Sequence, residues 1–249
     1  MKQLRRFREV ADLTLQATDG ELGAVEDLYL DDRSWVVRYL VVKTGGWLLG
    51  RHVLIAPVSV REIDDAGRAL RINLTREQIE GSPPIDRAKP VSRAYEENYY
   101  RHFRLAPYWN TLPGPWPTTT PYPGTVSPTI EKTRPPEQPE APHLRSAKEL
   151  TGYHIRARDG EIGHVEDVVV DDEEWIVRYV EVDTRKWLPG KKVLVQTGRI
   201  ERISWTERTV TVTLTRRVIE SAPAYDPSEL ITPDYEVQLF KHYSQAAAA

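Results

Sequence analysis

Asp19-Gly-Glu-Leu-Gly-Ala-Val-Glu-Asp-Leu-Tyr-Leu-Asp-Asp32 and the adjoining Trp35-Val-Val-Arg-Tyr-Leu-Val-Val-Lys43 decide the fold of this chain. Asp-Gly pairs such as the one that opens the stretch are typical of tight turns. Residues 22–30 and 35–43 are rich in β-branched and aromatic side chains, which favour extended strands. Because the polar residues 31–34 separate these two segments, the stretch predicts a β-hairpin.

The same stretch occurs again 140 positions further along the chain. Asp19-Gly-Glu-Leu-Gly23 returns as Asp159-Gly-Glu-Ile-Gly163, and Trp35-Val-Val-Arg-Tyr39 returns as Trp175-Ile-Val-Arg-Tyr179. The correspondence runs without a gap, so we predict two copies of one domain. The predicted boundaries are residues 1–104 for the first copy, 105–145 for the segment between them and 146–245 for the second copy.

Residues 105–145 differ in composition from both copies. They hold more than half of the chain's 19 prolines, and proline disrupts both helices and strand ladders. We interpret this segment as an extended, semi-stiff linker. Its first part, Pro107-Tyr-Trp109, is aromatic and is expected to fold back onto the first copy.

Each copy contains about six short strand-like segments, a close spacing that is typical of a small closed barrel. Thr75-Arg-Glu-Gln78 then has the pattern of a capping box, which predicts a short helix. Ser92 and Thr232 can cap a second helix in each copy. The predicted fold is mainly β: two small antiparallel β-barrels, each followed by a short helical tail and joined by the Pro-rich linker.

A tight turn at residues 31–34 would also set the register of the hairpin. Asp27 would then face Arg38, and by the same arithmetic Asp167 would face Arg178. Because a partly buried guanidinium needs a carboxylate partner, we predict a structural ion pair in each copy. The alternative is that both pairs lie in water at a barrel rim, where they would stabilise the fold little.

The opposite side of the second hairpin strand is aromatic in both copies. Such a face needs a cover, which can be the tail helix, the sister copy or another protein. A covered face would be core, whereas an open face would indicate a partner site. Six aromatic residues are therefore candidate partner-binding residues: Trp35, Tyr39, Trp47, Trp175, Tyr179 and Trp187.

The composition limits the functional classes. The 249 residues carry 34 basic and 37 acidic side chains and a net charge of −3, which disfavours a strongly basic nucleic-acid binder. The chain has no cysteine, which excludes disulfides, thiolate metal sites and a cysteine nucleophile. No apolar run approaches the ~20 residues that span a bilayer, and the first residues lack the apolar core of a secretory signal. A cytoplasmic location is therefore expected.

The sequence contains neither a Gly-rich phosphate loop nor a Gly-x-Ser-x-Gly elbow. His52 and His164 have no counterpart in the other copy. The hairpin over residues 19–32 is rich in carboxylates, but strand alternation divides them between two faces, which disfavours a metal site. Arg185-Lys186 and Lys191-Lys192 could form a basic rim for RNA, although such residues usually solvate a surface. We expect no catalytic residues, no cofactor and no bound metal.

The full pattern also includes Arg51-His-Val-Leu-Ile-Ala-Pro-Val-Ser59 and Leu74-Thr-Arg-Glu-Gln-Ile-Glu-Gly-Ser-Pro83. Over residues 7–84 and 147–224 it resembles the PRC-barrel family. This barrel is shared by the cytoplasmic part of the photosynthetic reaction centre H subunit and the C-terminal domain of the ribosome-maturation factor RimM. The chain departs from the H subunit, which carries an N-terminal membrane helix, and from RimM, which has a different N-terminal barrel.

The resemblance implies binding and assembly rather than catalysis. We predict a non-enzymatic protein-interaction module whose unknown protein partner belongs to a membrane electron-transfer complex or another complex. Docking on a membrane complex would place the chain peripherally on the cytoplasmic side of the inner membrane. The alternative is an RNA- or ribosome-associated maturation factor of the RimM type. Nucleic-acid binding is the less favoured class, and a homo-oligomer stays open.

Overall fold

The structure, a computed structural model, describes residues 3–11, 13–87, 89–110, 144–184 and 191–247. Strands dominate both halves of the chain. The strands of the first half are β1 (Leu4–Arg6), β2 (Thr14–Ala17), β3 (Gly20–Asp31), β4 (Val37–Thr44), β5 (His52–Ile55), β6 (Val60–Asp64) and β7 (Ala69–Ile72). Those of the second half are β8 (Leu144–Ser146), β9 (His154–Ala157), β10 (Gly160–Asp171), β11 (Ile176–Asp183), β12 (Lys192–Gln196), β13 (Ile200–Ser204) and β14 (Thr209–Val212). The α-helices are α1 (Phe7–Val10), α2 (Arg76–Glu80), α3 (Arg93–His102), α4 (Ala147–Leu150), α5 (Arg216–Glu220) and α6 (Pro233–Ala247).

The strands form two sheets of the same topology. The strand order is β5-β4-β3-β2-β7-β6 in the first sheet and β12-β11-β10-β9-β14-β13 in the second. We call β2–β7 with α2 and α3 the first unit, and β9–β14 with α5 and α6 the second unit. The predicted mainly β, tandem architecture is therefore confirmed.

Two details of the predicted barrels are corrected. The pairs β2–β7 and β9–β14 are parallel, so the sheets are not purely antiparallel. The sheets are also open, because among the described residues the end strands β5 and β6 do not pair with each other, and neither do β12 and β13. In the first unit the connection between the end strands runs through a 3-10 turn at Pro57–Ser59. Pro57 has no amide to donate to a strand ladder, which favours an interruption at this point.

The glycine that ends the repeated Asp-Gly-Glu-x-Gly motif allows the close approach of two strands. Gly23 has a φ of +150°, and a Cβ built on it would lie 2.0 Å from the Lys43 carbonyl oxygen. Gly163 has a φ of +156°, and its Cβ would lie 2.0 Å from the Asp183 carbonyl oxygen. Any side chain there would collide with the backbone of β4 or β11, which explains why both copies carry glycine.

The β3–β4 register differs from the predicted one. Asp27 faces Val41, and irregularities interrupt the ladder at two places. The turn is also displaced along the chain, because the Asp31 amide pairs with the Val36 carbonyl at 2.9 Å, and the Asp31 carboxylate accepts hydrogen bonds from the amides of Arg33 and Ser34 within the turn. Trp35 then adopts a left-handed conformation with a φ of +60°. The two bulges and the displaced turn shift the strand pairing away from the register that a tight turn at residues 31–34 would set.

The N-terminal segments of the two copies are exchanged. β1 pairs with β10 of the second unit, and β8 pairs with β3 of the first. α1 and α4 follow these strands directly. We call β1–α1 (Leu4–Val10) and β8–α4 (Leu144–Leu150) the exchange segments, because each pairs with the unit formed mainly by the other copy.

The exchange joins the two units through a shared apolar core. Phe7 and Val10 of one segment and Ala147 and Leu150 of the other are buried in the same cluster, which includes strands of both units. The two hairpins also meet directly: the Val37 amide donates to the Trp175 carbonyl at 2.8 Å, and the Val177 amide donates reciprocally to the Trp35 carbonyl at 2.8 Å. A core built by a single copy of this length is marginal, so the shared core stabilises both copies.

Each unit ends in a tail helix that packs on its sheet. The Ser92 hydroxyl accepts a hydrogen bond from the Tyr95 amide at the start of α3, as its capping role predicts. The Thr232 hydroxyl accepts one from the Tyr235 amide in the same way at α6. Among the described residues, no helix combines the length and the apolar character needed to cross a membrane.

Candidate interaction surfaces

The aromatic face proposed as a partner site is core, which corrects the prediction. Four of its members are less than one-tenth exposed: Trp35, Tyr39, Trp175 and Tyr179. Trp47 is partly buried and donates its indole N–H to the Leu22 carbonyl at 2.7 Å. Trp187 lies outside the described residues. Because most of this face is inaccessible, it cannot serve as an open docking surface in the folded chain.

In the first unit this face is covered by the tail helix. The ring of Tyr39 contacts the rings of Tyr99 and Tyr100 edge-on, with centroids 5.2 Å and 6.5 Å apart. Its hydroxyl donates to Glu96 Oε1 at 2.9 Å. The aromatic residues therefore fasten α3 to the sheet.

Glu96 is the polar centre of this contact, and the sequence did not single it out. It is fully buried and accepts hydrogen bonds from the hydroxyls of Tyr39 and Tyr108 and from the Arg93 guanidinium. Burial raises the pKa of the Glu96 carboxyl, while Arg93 and the two hydroxyls act to lower it. Three donors to one buried carboxylate make a structural network rather than a reactive group.

The residues after α3 complete the cover. Tyr108 and Trp109 lie against the ring of Tyr100, with centroids 6.0 Å and 5.1 Å away. The aromatic start of the predicted linker thus folds back onto the first unit as expected. Residues 111–143, which include most of that linker, lie outside the described residues.

The predicted cross-strand ion pairs are wrong. Asp27 does not pair with Arg38: it accepts hydrogen bonds from the Ser146 hydroxyl at 2.6 Å and the Lys148 amide at 3.1 Å. Arg38 instead stacks on the Tyr108 ring, 3.9 Å from its centroid. Ser146 and Lys148 both belong to the exchange segment of the second copy.

The second copy departs from the prediction for the same reason. Asp167 accepts a hydrogen bond from Arg8 Nε at 2.6 Å, and Arg8 belongs to the first exchange segment. Arg178 pairs with Asp171 at 3.2 Å. Burial raises the pKa values of Asp27 and Asp167, and the donors from the exchange segments act to lower them. The two aspartates therefore fasten the exchange rather than the hairpins.

A cleft of about 690 Å³ lies between the two units. Its walls include Val58 and Ile63 from the first unit and Trp175 from the second. Arg5 also lines it, but its guanidinium is held by Asp65 at 2.5 Å and by Asp172 at 2.6 Å. A partly apolar cleft with paired charges is suited to binding rather than to proton transfer or nucleophilic attack.

His164, Glu166 and Asp183 offer three potential metal-ligand atoms within 4.8 Å of one another. This group is not evident from the sequence because its residues come from two strands, with His164 directly opposite Asp183. Lys192 lies 3.3 Å from Glu166 and 2.7 Å from Glu181, so a cation of the chain already neutralises part of the cluster. The first copy has Ala24 and Lys43 in place of His164 and Asp183, so the group is not a shared feature of the fold.

The basic rim considered for RNA is engaged within the chain where it is described. Lys191 donates to the Glu220 carbonyl, and Lys192 pairs with Glu166 and Glu181. Arg51, the counterpart of Lys191, donates to the Ser82 carbonyl at 2.9 Å. Arg185 and Lys186 lie outside the described residues. The contacts of Arg51 and Lys191 bind the ends of α2 and α5 to the sheets.

A comparison with protein families agrees with the observed repeat. The family model described as the PRC-barrel domain matches residues 4–79 and again residues 142–219. The two matches together cover more than half of the chain, and each includes one exchange segment. No curated protein is similar enough to this chain to count as a match.

Proposed function

This chain belongs to the PRC-barrel domain family and carries the domain twice, and from that premise we propose that it is a non-enzymatic interaction and assembly module. Domains of this family are generally non-catalytic. More specifically, we propose that the chain docks on a protein of a larger complex, with a membrane electron-transfer complex as the first candidate. The likeness to the reaction centre H subunit supports that candidate.

The observation that carries the proposal is the reciprocal exchange of Leu4–Val10 and Leu144–Leu150. It holds two domains in one fixed arrangement and creates a cleft that neither unit has alone. Preorganised surfaces bind with a smaller entropic cost than surfaces that must first assemble. A rigid two-domain platform is therefore suited to holding a partner in a defined orientation.

We place the partner of this platform in the cleft. Val58 lines the cleft and is 44% exposed, so it offers accessible apolar surface to a partner. Arg61 and Glu62 add exposed charges on the same strand edge. An apolar centre with a charged rim is the usual composition of a protein-binding site.

Affinity capture of the tagged full chain from its host, with quantitative mass spectrometry, tests the proposal. The comparison includes Val58→Glu in the cleft and Leu49→Glu as a matched control, because Leu49 is 97% exposed and does not line the cleft. We expect one stoichiometric protein partner that is retained by the wild type and Leu49→Glu and lost by Val58→Glu. The absence of such a partner, or its equal retention by both variants, would contradict the proposal. Ribosomal particles that are released by nuclease would favour the RimM-type alternative instead.

A further inference from the structure

The two tail helices dock on their sheets in the same way. The Tyr39 hydroxyl donates to Glu96 at 2.9 Å, and the Tyr179 hydroxyl donates to Glu236 at the same distance. These pairs occupy equivalent positions of the sequence repeat. The two helices can therefore be compared residue by residue.

Their outer faces differ. In the first unit Tyr100 is 1% exposed, because Tyr108 and Trp109 lie over it. In the second unit the equivalent Phe240 is 52% exposed, and Val237 beside it is 49% exposed. A half-exposed phenylalanine next to a half-exposed valine forms an apolar patch on the surface of α6.

The cause lies in the residues that follow each helix. In the first unit Arg104 adopts a left-handed conformation with a φ of +54°, and the Leu105 amide bonds back to the Tyr100 carbonyl at 2.9 Å. The chain then reverses and Pro107 prevents a return to helix. In the second unit α6 continues to Ala247, so no described segment returns over Phe240.

Glu96 and Glu236 also differ in their polar contacts, and the glutamate of the second unit has fewer of them. Glu96 accepts hydrogen bonds from Tyr108 and Arg93 in addition to Tyr39. Among the described residues, Glu236 has Tyr179 as its one hydrogen-bonding or ion-pair partner, and Pro233 stands where the first copy has Arg93. The patch of the second unit thus combines apolar surface with a carboxylate that can accept further donors.

We propose that the patch formed by Glu236, Val237 and Phe240 binds a Pro-aromatic-aromatic segment of a partner protein. The segment 107–109 on the first unit shows the chemistry of the occupant. A tryptophan or tyrosine ring packs on Phe240, edge-on as Trp109 packs on Tyr100. A tyrosine hydroxyl or an arginine donates to Glu236. This inference rests on the proposed interaction role and assigns it a second surface, remote in sequence from the cleft.

The test uses the acetylated and amidated peptide Leu-Ala-Pro-Tyr-Trp-Asn, which has the sequence of residues 105–110. Amide NMR spectra of the isotope-labelled full chain are recorded during titration to about 5 mM, because a short tether supplies an effective concentration of about millimolar. We expect saturable shifts at Val237 and Phe240. The affinity for the peptide should fall at least tenfold in Phe240→Glu. It should stay unchanged in the matched control Leu230→Glu, since Leu230 is also exposed but precedes the helix. A peptide with both aromatics replaced by alanine should cause no shifts.

Both variants change exposed side chains, and circular dichroism checks that they fold. Val237→Lys provides a second variant on the patch, with the same expected loss. The inference is wrong if the wild type shows no saturable shifts, as would follow if the linker or a second copy occupies the patch. It is also wrong if Phe240→Glu binds as well as the wild type. If the peptide fails but a captured partner still depends on Val58, this surface is wrong and the proposed function stands.

Discussion

Replacing Asp27 by alanine should loosen the exchange segment of the second copy. The carboxylate is buried and accepts hydrogen bonds from the Ser146 hydroxyl, the Lys148 amide and its own neighbour, the Leu28 amide. Alanine leaves the two amides without this acceptor. The buried Leu28 amide costs about 1–3 kcal/mol as an orphan, and the part-buried Lys148 amide costs less. The Ser146 hydroxyl can rotate towards other partners, so we expect a total loss of about 2–4 kcal/mol in the free energy of unfolding.

Asp27→Asn is the matched control. The asparagine oxygen can still accept from an amide, and the substitution removes a carboxylate whose pKa burial has raised. We therefore expect a loss of less than about 1 kcal/mol. Urea unfolding followed by circular dichroism measures both losses, and hydrogen exchange of the Lys148 amide should accelerate in Asp27→Ala alone. If Asp27→Ala matches the wild type in stability and in Lys148 exchange, the aspartate does not hold the exchange segment.

Three further predictions concern the interface, the buried hydroxyls and the repeated glycine. Arg5→Ala should lower the free energy of unfolding by about 2 kcal/mol, because it leaves the largely buried Asp172 without its cation. Arg145→Ala, at the equivalent and more exposed position, should lower it by less than about 1 kcal/mol. Equal losses in urea unfolding would contradict this difference. Burial raises the pKa of Tyr99 well above its ordinary value of 10.0, so its stabilising effect is complete below pH 10 and should fall above it by about 1.4 kcal/mol per pH unit. Unfolding measured against pH checks this. A difference in tyrosinate absorbance between the wild type and Tyr99→Phe that rises near pH 10 in the folded chain would refute it. Gly23→Ala should lower the free energy of unfolding by at least about 2 kcal/mol, because the alanine Cβ would collide with the Lys43 carbonyl oxygen. A melting temperature equal to that of the wild type would contradict this and show that the strands can move apart.

The local elements were predictable because their signals lie within a few residues. The Thr75–Gln78 capping box forms in both directions: the Thr75 hydroxyl accepts from the Gln78 amide, and the Gln78 side chain accepts from the Thr75 amide. The repeat similarly predicted two copies of one domain, and the two observed sheets share one strand order. Propensity, turn chemistry and capping act over short distances, so a single sequence reports them well.

The exchange was not predictable from the same signals. Leu4-Arg-Arg6 and Leu144-Arg-Ser146 can pair with either β3 or β10, because both copies offer nearly the same strand. Ser146-Ala-Lys-Glu149 has the spacing of a capping box and could have located α4. Nothing in that spacing indicates which unit the helix joins.

Contacts between residues that lie far apart in the sequence also explain the two corrections at the candidate sites. Asp27 and Asp167 were assigned partners within their hairpins, but their donors Ser146 and Arg8 come from more than 100 positions away. The face around Trp35 and Tyr39 needed a cover, and the sequence left three covers open. The structure uses two of them, the tail helix for Tyr39 and the sister hairpin for Trp35.

Cleavage of the chain between its two domains tests the reciprocal exchange most directly. A specific protease site is placed within residues 111–143, the intact chain is purified and cut, and the products are examined by size-exclusion chromatography with light scattering in the absence of denaturant. Because Leu4–Val10 and Leu144–Leu150 each pair with the opposite unit, the two fragments should elute together with the 28.6 kDa mass of the uncut chain. Fragments that separate into two species of about half that mass would show that the linker alone joins the domains, and the exchange would be contradicted.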